Sequence, residues 1–431
     1  MNHLNQDRVS GETLRRRILL RLQNGAAQIR AVRAKRRLLF CYAAAAALIW
    51  LAARCSVSGP LASPVQGLYD AAAPIIFLFG LLLLLYRLGA PHGAPAVGNG
   101  LLRAGLVNHA GEAPFLLRRF QDPENPRLEV LEFDTAGIPR AQWEEKQPFI
   151  EAALNIHIAQ YRSGEDNSRL RLYAVPASGG LPACVPWKPD FLPDGGGFPL
   201  AMGMGLAGPV AVDLAAIPHL LIGGATGSGK SVLVRCLLYQ ARRKGAQVLI
   251  ADFKGGVDFS DAFWQDQCHL ILDEAALLDA LSNLVDTLHI RKQLLVNAHC
   301  KNIDEYNRAS AVPLQRIVFA CDEVAELLDK SGRNKEGRET ADKIIGCLAT
   351  IARLGRAFGI HLVLATQRPD AAIIPGQIKN NVAGRACGAA DNVLSQIILD
   401  NTDAAVQIPK EAHGRFLLHD GTLFQGFWFT L

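Results

Sequence analysis

Two long apolar runs near the start of the chain dominate its pattern of hydrophobic and polar positions. They are Leu38–Ala53 and Ala71–Tyr86, and an arginine follows each of them. Sixteen helical residues span about 24 Å, against about 30 Å of bilayer hydrocarbon. Each run must therefore borrow flanking residues or rely on arginines that snorkel to the interface. We predict a two-helix transmembrane hairpin over residues 38–87, in preference to a signal peptide or a buried helical hairpin.

The segment before the first run is strongly basic. Residues 1–37 carry ten Lys and Arg against Asp7 and Glu12, although the whole chain has a net charge of only +5. Because Lys and Arg mark cytoplasmic flanks, we expect this segment and everything after Arg87 in the cytoplasm. The turn at about residues 54–70 holds one Arg and one Asp and can cross. The charges predict a multi-pass protein of the cell inner membrane, with both termini cytoplasmic and a basic segment that contacts anionic lipid rather than DNA.

Composition separates a linker and a small domain after the apolar runs. Residues 88–100 are rich in Gly, Pro and Ala, which predicts a linker. Residues 101–199 predict a small α+β module without a catalytic motif, which ends in the Pro- and Gly-rich stretch 179–199. Its predicted elements are two strands and one helical stretch: Leu128–Phe133, Leu170–Val175 and Ala141–Tyr161.

From about residue 200 onward, short apolar runs alternate with helical stretches. Runs of this kind are typical of strands that are buried on both faces of a parallel sheet. We therefore predict one α/β domain over residues 200–431. The predicted strands are His219–Ile222, Val248–Ala251, Ile317–Cys321 and Leu362–Ala365.

A glycine-rich segment follows the first of these strands and opens a helix. It matches the phosphate-binding pattern G-x-x-x-x-G-K-[ST], in the strand–loop–helix context that the pattern requires. Backbone N–H groups and the helix N-terminus suit phosphate oxygens. We expect Lys230 to reach the β- and γ-phosphates of ATP and the Ser231 hydroxyl to bind Mg²⁺, rather than a chance Gly-rich turn. The loop residues are Gly224, Ala225, Thr226, Gly227, Ser228, Gly229, Lys230 and Ser231.

Two acids and a glutamine follow two other predicted strands. Asp322 and Glu323 come directly after the strand that ends at Cys321, about 90 residues beyond the phosphate loop. We expect Asp322 to hold the Mg²⁺ shell and Glu323 to activate the attacking water. Gln367 ends another strand at the edge where open α/β sheets place ligand contacts, so it is a candidate for sensing the γ-phosphate or for positioning the water. Helix capping by the acids and turn hydrogen bonding by Gln367 are the structural alternatives.

Several segments together resemble the FtsK/SpoIIIE family. The chain contains segments similar to the family's hallmark segments, in the family's order: PHLLIGGATGSGKS, IVFACDEVAEL and RLGRAFGIHLVLATQRP. The segments GPVAVDLAAIPHLLIGG and IADFKGG are further matches. The resemblance covers about 220 residues. It implies a RecA-like P-loop NTPase motor of the α/β class that hydrolyses ATP and works as a ring, usually a hexamer. DNA, expected to be double-stranded, would pass through the central channel, and residues 101–199 would stack on the ring.

Departures from the family pattern narrow the expected role. The chain ends shortly after a hairpin-like run, 414–429, and shows two apolar helices and no long linker. Short members with such an anchor resemble the ATPases of conjugative or mobile-element transfer, with transfer or secretion machinery as partners. The alternative is a protein-secretion ATPase resembling the type VII secretion motor. A third possibility, an ATP-binding scaffold that does not cycle, is disfavoured by the complete set of motif residues.

The resemblance also implies a trans-acting arginine and basic residues that face the channel. Arg356 and Arg385 are the candidates for an arginine that completes a neighbouring subunit's site, and for each the alternative is a pair with a surface carboxylate. The motor region carries no overall positive charge, so DNA contact needs a local basic surface. We predict a channel loop, rather than an ordinary solvated loop, from the basic run Lys330, Arg333, Lys335 and Arg338.

Overall fold

A computed structural model describes residues 2–56, 62–253, 255–367 and 375–431. The chain divides into two compact units, Met1–Gly180 and Leu181–Leu431. The predicted boundary between module and motor, at residue 199, is therefore wrong. Residues 181–199 belong to the motor because the strand Val185–Pro186 pairs with a motor strand and Phe191 stacks on Phe427 at 4.8 Å.

The N-terminal unit combines long helices with a four-stranded antiparallel sheet of order β1-β2-β4-β3. Its strands are β1 (Phe115–Gln121), β2 (Glu129–Asp134), β3 (Ile156–Ser163) and β4 (Arg169–Pro176). Its helices are α1 (Asn2–Ala31), α2 (Arg33–Ser56), α3 (Ala62–Leu88), α4 (Ala94–Arg103), α5 (Arg140–Glu145) and α6 (Gln147–Leu154).

Helices α2 and α3 contain the two apolar runs. Within them, Arg33–Cys55 and Gly67–Leu88 are long and apolar enough to cross a membrane. Their 23 and 22 residues correspond to about 33–35 Å, so the flanking residues supply the length that the apolar runs lack. The two helices contact each other where the Tyr42 hydroxyl donates a hydrogen bond to the Phe77 carbonyl at 2.8 Å.

The basic N-terminal segment forms helix α1 and the start of α2, and α1 packs against α3 and β1. Arg21 is buried, with its guanidinium 4.3 Å from the centre of the Phe115 ring and a hydrogen bond donated to the Gly89 carbonyl. A side chain at Gly25 would collide with the Leu85 carbonyl, so the two helices cross at small residues. Part of the basic segment thus packs into the unit's interior.

Two local predictions for this unit are wrong. The predicted linker 88–100 becomes helical from Ala94, because Val97 and Leu101 give α4 an apolar face that packs into the module core. The predicted helical stretch 141–161 stops at Asn155, which takes a left-handed conformation with φ 54°, and the chain continues as strand β3. Composition alone did not reveal either feature.

The motor unit contains a large sheet of order β10-β9-β11-β12-β8-β13-β14-β15-β6-β7, with β5 pairing with β15. Its strands are β5 (Val185–Pro186), β6 (Pro199–Gly205), β7 (Gly208–Asp213), β8 (His219–Gly223), β9 (Gln247–Ala251), β10 (His269–Ile271), β11 (Ile317–Cys321), β12 (Ile360–Thr366), β13 (Gly384–Cys387), β14 (Arg415–Leu418) and β15 (Leu423–Trp428). The helices are α7 (Lys230–Arg243), α8 (Ala262–Gln267), α9 (Glu274–Asn297), α10 (Ile303–Ala309), α11 (Val324–Leu328), α12 (Lys335–Phe358), α13 (Gly376–Lys379), α14 (Asn392–Leu399) and α15 (Asp403–Gln407).

The six strands from β10 to β13 in this order are parallel, and the remaining strands of the path join antiparallel. All four predicted strands are present, and β8, β11 and β12 are buried along their whole length. One apolar core, which includes residues of α9, α12 and α14, lies on one face of the sheet, and a second, which includes residues of α7, lies on the other. The predicted α/β fold is confirmed.

Two buried histidines mark the starts of β8 and β12. His361 contacts the Pro218 carbonyl through Nδ1 at 3.1 Å and Arg316 through Nε2 at 3.2 Å. His219 Nδ1 accepts a hydrogen bond from the Leu362 amide at 3.0 Å. Burial lowers the pKa of His219 to about 4, and burial followed by the charge of Arg316 lowers the pKa of His361 to about 3. Both rings are therefore neutral at physiological pH.

Candidate nucleotide-binding site

The parallel pairing of three strands brings the predicted site residues to one edge of the motor sheet. In the register, Gly223 of β8 lies opposite Thr366 of β12, and Cys321 of β11 lies opposite Leu364. The residues that follow these strand ends are the phosphate loop, the acidic pair and Gln367. Because carboxyl ends of parallel strands share an edge, segments about 90 and 140 residues apart meet there.

The phosphate loop has the backbone that its glycines predict. Gly227 and Gly229 take positive φ values of 80° and 95°, which disfavour residues with a Cβ. A Cβ at Gly229 would also lie 2.9 Å from the Gly414 Cα. The 14-residue helix α7 begins within the loop, at Lys230, so the loop amides lie at a helix N-terminus.

Lys230, Ser231 and Asp322 converge at the end of this loop. Lys230 is buried, and its Nζ donates a hydrogen bond to the Asp322 carbonyl at 3.1 Å. The Ser231 Oγ donates to Asp322 Oδ1 at 3.2 Å. A hydroxyl and a carboxylate side by side form a hard oxygen donor set, which suits Mg²⁺ together with nucleotide phosphates. The buried Ser228 hydroxyl, which has no hydrogen-bond partner within the described part of the chain, also fits a loop that receives phosphate oxygens.

Glu323 accepts hydrogen bonds from Thr366, the last residue of β12, and from Gln367, which follows it. The Thr366 hydroxyl donates to Glu323 Oε1 at 2.6 Å, and the Gln367 backbone amide donates to Oε2 at 3.0 Å. Lys230 Nζ lies 3.7 Å from the same carboxylate, which is buried. The Gln367 side chain in turn accepts a hydrogen bond from Thr226 in the phosphate loop at 3.0 Å. Gln367 thus links the loop to Glu323, and the sequence-based interpretation missed Thr366 as a partner of that carboxylate.

The sequence also gave no sign that the C-terminal hairpin would contact the phosphate loop. His413 Nδ1 lies 2.9 Å from the Gly227 carbonyl, and the Gly414 amide donates to the Ser228 carbonyl at 2.8 Å. The spacing of residues along the chain cannot reveal these contacts, since about 185 residues separate the two segments. They arise from the pairing of β14 with β13 and β15.

The two arginine candidates differ in their surroundings. Arg385 pairs with Asp400 and donates hydrogen bonds to the Val382 and Lys379 carbonyls. Its side chain is thus held by residues of its own chain, as in the alternative of a pair with a surface carboxylate. Arg356 is exposed near the end of α12, and its Nε donates a hydrogen bond to the Ala215 carbonyl at 3.3 Å.

The basic run is only partly the loop that we predicted. Asn334 caps α12 by accepting a hydrogen bond from the Gly337 amide, so Lys335 and Arg338 lie in the first helical turn. Both side chains are exposed. Three members of the run have acidic partners: Lys330 pairs with Asp342, Arg333 pairs with Glu274 at 2.8 Å, and Lys335 lies 4.0 Å from Glu339 one turn along α12.

Lys254 of the IADFKGG segment, and Arg368 and Pro369 of the ATQRP segment, lie outside the described residues. The rest of the geometry defines a phosphate-binding site of the P-loop NTPase class: a glycine loop at a helix N-terminus, a buried lysine, a hydroxyl–carboxylate pair and a buried glutamate at the edge of a parallel sheet.

Comparison with known proteins places the chain within this class. The FtsK/SpoIIIE family profile matches residues 194–371. The DNA translocase FtsK of Treponema pallidum (strain Nichols) is 36% identical over 223 residues, which cover 48% of this chain and 26% of that protein. The chain thus spans about a quarter of the length of this relative.

Among solved structures, the pCW3 conjugation coupling protein TcpA, in its monomer form with ATPγS, is 35% identical. The match covers 78% of this chain and 95% of that chain, with a TM-score of 0.58. The cytoplasmic domain of the Thermomonospora curvata type VII secretion ATPase EccC is 23% identical with a TM-score of 0.46, covering 59% of this chain and 31% of that one, which is too little to support an inference. The chain belongs to the FtsK/SpoIIIE family and is a P-loop ATPase.

Proposed function

We propose that this protein is a membrane-anchored ATPase that translocates double-stranded DNA as a hexameric ring in conjugative or mobile-element transfer. The observation that carries the proposal is the match to a conjugation coupling protein along 95% of that protein's chain. It is supported by the joined set of Lys230, Ser231, Asp322 and Glu323 at one sheet edge.

In this proposal each side chain of the set has its own step in hydrolysis. Lys230 neutralises charge on the β- and γ-phosphates, and the Ser231 and Asp322 oxygens would hold Mg²⁺. The metal ion supplies charge neutralisation at those phosphates when it is bound. Glu323 orients the water, held for that task by Thr366 and Gln367. Arg356, rather than the internally paired Arg385, is our candidate for stabilising the neighbouring subunit's transferring phosphoryl group.

Helices α2 and α3 provide the proposed anchor in the inner membrane. Positive-inside charge would place both chain ends in the cytoplasm, where ATP is available. For DNA, Lys335 and Arg338 are the better candidates in the basic run. Lys330 and Arg333 would have to leave closer carboxylate partners before they could contact phosphate, whereas the side chain of Lys335 is 93% exposed and lies 4.0 Å from Glu339.

DNA-stimulated hydrolysis by the full-length protein in detergent tests the proposal. We expect linear duplex DNA to raise ATP turnover several-fold. Lys230→Ala should abolish nucleotide binding, whereas Glu323→Gln should bind ATP without hydrolysing it. The two variants differ because Lys230 contacts the ground-state phosphates and Glu323 acts on the water. Basal turnover in the wild type that no duplex DNA stimulates would contradict the proposal and favour the protein-secretion alternative.

A further inference from the structure

A cavity of about 570 Å³ extends from the phosphate loop to strand β15 and the residues before β5. Lys230 and Ser231 line one part of it, and Cys184 and Trp428 also lie in its wall. This volume falls within the range of small-molecule sites, which is about 300–1,000 Å³. A nucleotide is longer than its phosphates, so a ligand whose phosphates meet Lys230 must place its nucleoside half elsewhere in the cavity.

Cys184 belongs to a segment that we call the strap, residues 181–187, of which Ala183 and Cys184 line the cavity. The strap follows β15 through the parallel pairing of β5, with Val185 opposite Phe427 and Pro186 opposite Trp428. The Trp187 amide donates to the Trp428 carbonyl at 2.8 Å, which extends this pairing by one residue. Cys184 therefore lies at the start of a short ladder that ends beside Trp428.

Strap and hairpin are also joined by a side chain. Arg415 Nη2 donates to the Pro182 carbonyl at 3.2 Å and to the Leu181 carbonyl at 3.4 Å. Arg415 precedes Phe416, which is itself part of the cavity wall. The strap is thus tied to the same hairpin that contacts the phosphate loop through His413 and Gly414.

Trp428 is a large aromatic residue whose side chain is exposed on the motor unit. Along β15 its neighbour Phe427 is buried in the core, whereas Trp428 is 55% exposed at the cavity. An indole offers a broad flat face that suits an aromatic ligand. Stacking of a base on such a face contributes about 1–3 kcal/mol. The Gln425 amide nitrogen, also in the wall, already donates to the His413 carbonyl at 2.9 Å, so it is engaged within the protein.

We propose that the nucleobase of bound ATP stacks on the indole of Trp428, with Cys184 of the strap at its edge. This proposal rests on the ATP binding in the proposed function and adds the nucleoside subsite to it. The ligand class is a purine nucleoside triphosphate, held at one end by Lys230 and at the other by Trp428. Neither contact residue of this subsite belongs to the phosphate loop or the acidic pair.

The first test separates the nucleoside half of the ligand from the phosphates. Dissociation constants of the full-length protein in detergent would be measured by calorimetry for two probes, Mg²⁺–AMPPNP and Mg²⁺–tripolyphosphate. We expect Trp428→Ala to weaken AMPPNP binding about 5- to 150-fold, in line with the loss of one stacking contact. Trp428→Phe should retain most of the affinity, and tripolyphosphate should bind all variants equally. Val406→Ala, which truncates an exposed apolar side chain outside the cavity, is the control for surface truncation.

Unchanged AMPPNP affinity in Trp428→Ala would overturn the proposal. An equal loss of tripolyphosphate binding would also overturn it, because that result assigns Trp428 to the structure of the phosphate loop. Failure of the proposed function looks different: the wild type would bind neither probe, or would bind AMPPNP normally and hydrolyse ATP without any response to DNA.

The second test uses the Cys184 thiol as a reporter. N-ethylmaleimide labelling of the wild type would be followed by mass spectrometry of the Cys184 and Cys300 peptides. AMPPNP should slow labelling of Cys184 at least five-fold and tripolyphosphate should not, while Cys300, which lies outside the cavity, should be labelled at one rate throughout. Equal protection by both probes, or protection by neither, would contradict the placement of the base beside the strap.

Discussion

The hydroxyl of Thr366 is expected to control how well Glu323 works. Thr366 donates a 2.6 Å hydrogen bond to Glu323 Oε1, and both residues are buried. Thr366→Val keeps the shape of the side chain and removes this donor. A hydrogen bond to a charged group contributes about 1.5–3 kcal/mol. If that bond holds Glu323 in the position in which it orients water, losing it lowers kcat about 10- to 150-fold.

Steady-state kinetics of the full-length protein would check this positioning role. The KM for ATP should change less than three-fold, because the Thr366 hydroxyl acts through Glu323, which orients the water rather than binding the ground-state phosphates. Thr366→Ser restores the donor and should recover most of the lost kcat. A Thr366→Val enzyme with wild-type or higher kcat would refute the reasoning, and so would a Ser variant as slow as Val.

Three further predictions concern the assembly, the DNA and the stability of the motor. Arg356→Ala should lower turnover about 10³-fold without changing AMPPNP affinity, because a trans arginine acts on the transition state; turnover assays on the assembled protein check it. Replacing Lys335 and Arg338 by Ala should abolish DNA stimulation while sparing basal turnover, and should reduce the log–log salt slope of DNA binding by about two. Buried His219 and His361 stay neutral in the folded motor and bind protons when it unfolds. Their contribution to the free energy of unfolding is therefore complete above the unfolded pKa of about 6.5, and it declines as the pH falls below that value. Lowering the pH from 7.5 to 5.5 should reduce the free energy of unfolding by about 1.4 kcal/mol for each histidine, which pulse proteolysis of the motor would detect as a lower urea midpoint.

Matched variants control these experiments. Arg353→Ala removes an exposed arginine from the same helix as Arg356 and should leave turnover unchanged. Lys301→Ala with Arg308→Ala removes two exposed basic side chains elsewhere and should leave DNA stimulation intact. Normal turnover in Arg356→Ala, a DNA response that survives in the Lys335 and Arg338 double variant, or a pH-independent urea midpoint would each contradict the corresponding prediction.

The strands and the phosphate site could be predicted because their signals are local. Apolar runs such as Ile317–Cys321 specify strands that are buried on both faces, and polar residues directly after them must meet at the sheet's carboxyl edge. Gly227 and Gly229 likewise specify their own backbone conformations. Each of these inferences needs only the residue types in one short segment and the general geometry of parallel sheets.

The remaining features depend on tertiary pairing that no short segment encodes. Trp428 and Cys184 become neighbours only through the pairing of β5 with β15 across about 240 residues. Arg385 looked like a candidate for a trans arginine, but its pairing with Asp400 follows from how α14 returns to the sheet. The basic run has the composition of a loop, yet the Asn334 cap starts a helix within it. The structure of such segments depends on the residues that they contact in the folded chain, which their own composition does not reveal.

ATP-driven displacement of a third strand from triplex DNA tests the central claim most directly. Full-length protein in nanodiscs would be mixed with a duplex that carries a fluorescent triplex-forming oligonucleotide, with ATP, with AMPPNP or with no nucleotide. We predict that the oligonucleotide is released with ATP but not with AMPPNP or without nucleotide. The Glu323→Gln variant should release no oligonucleotide, although it binds ATP. A wild-type protein that hydrolyses ATP but leaves the triplex intact would contradict the account of a DNA-translocating motor.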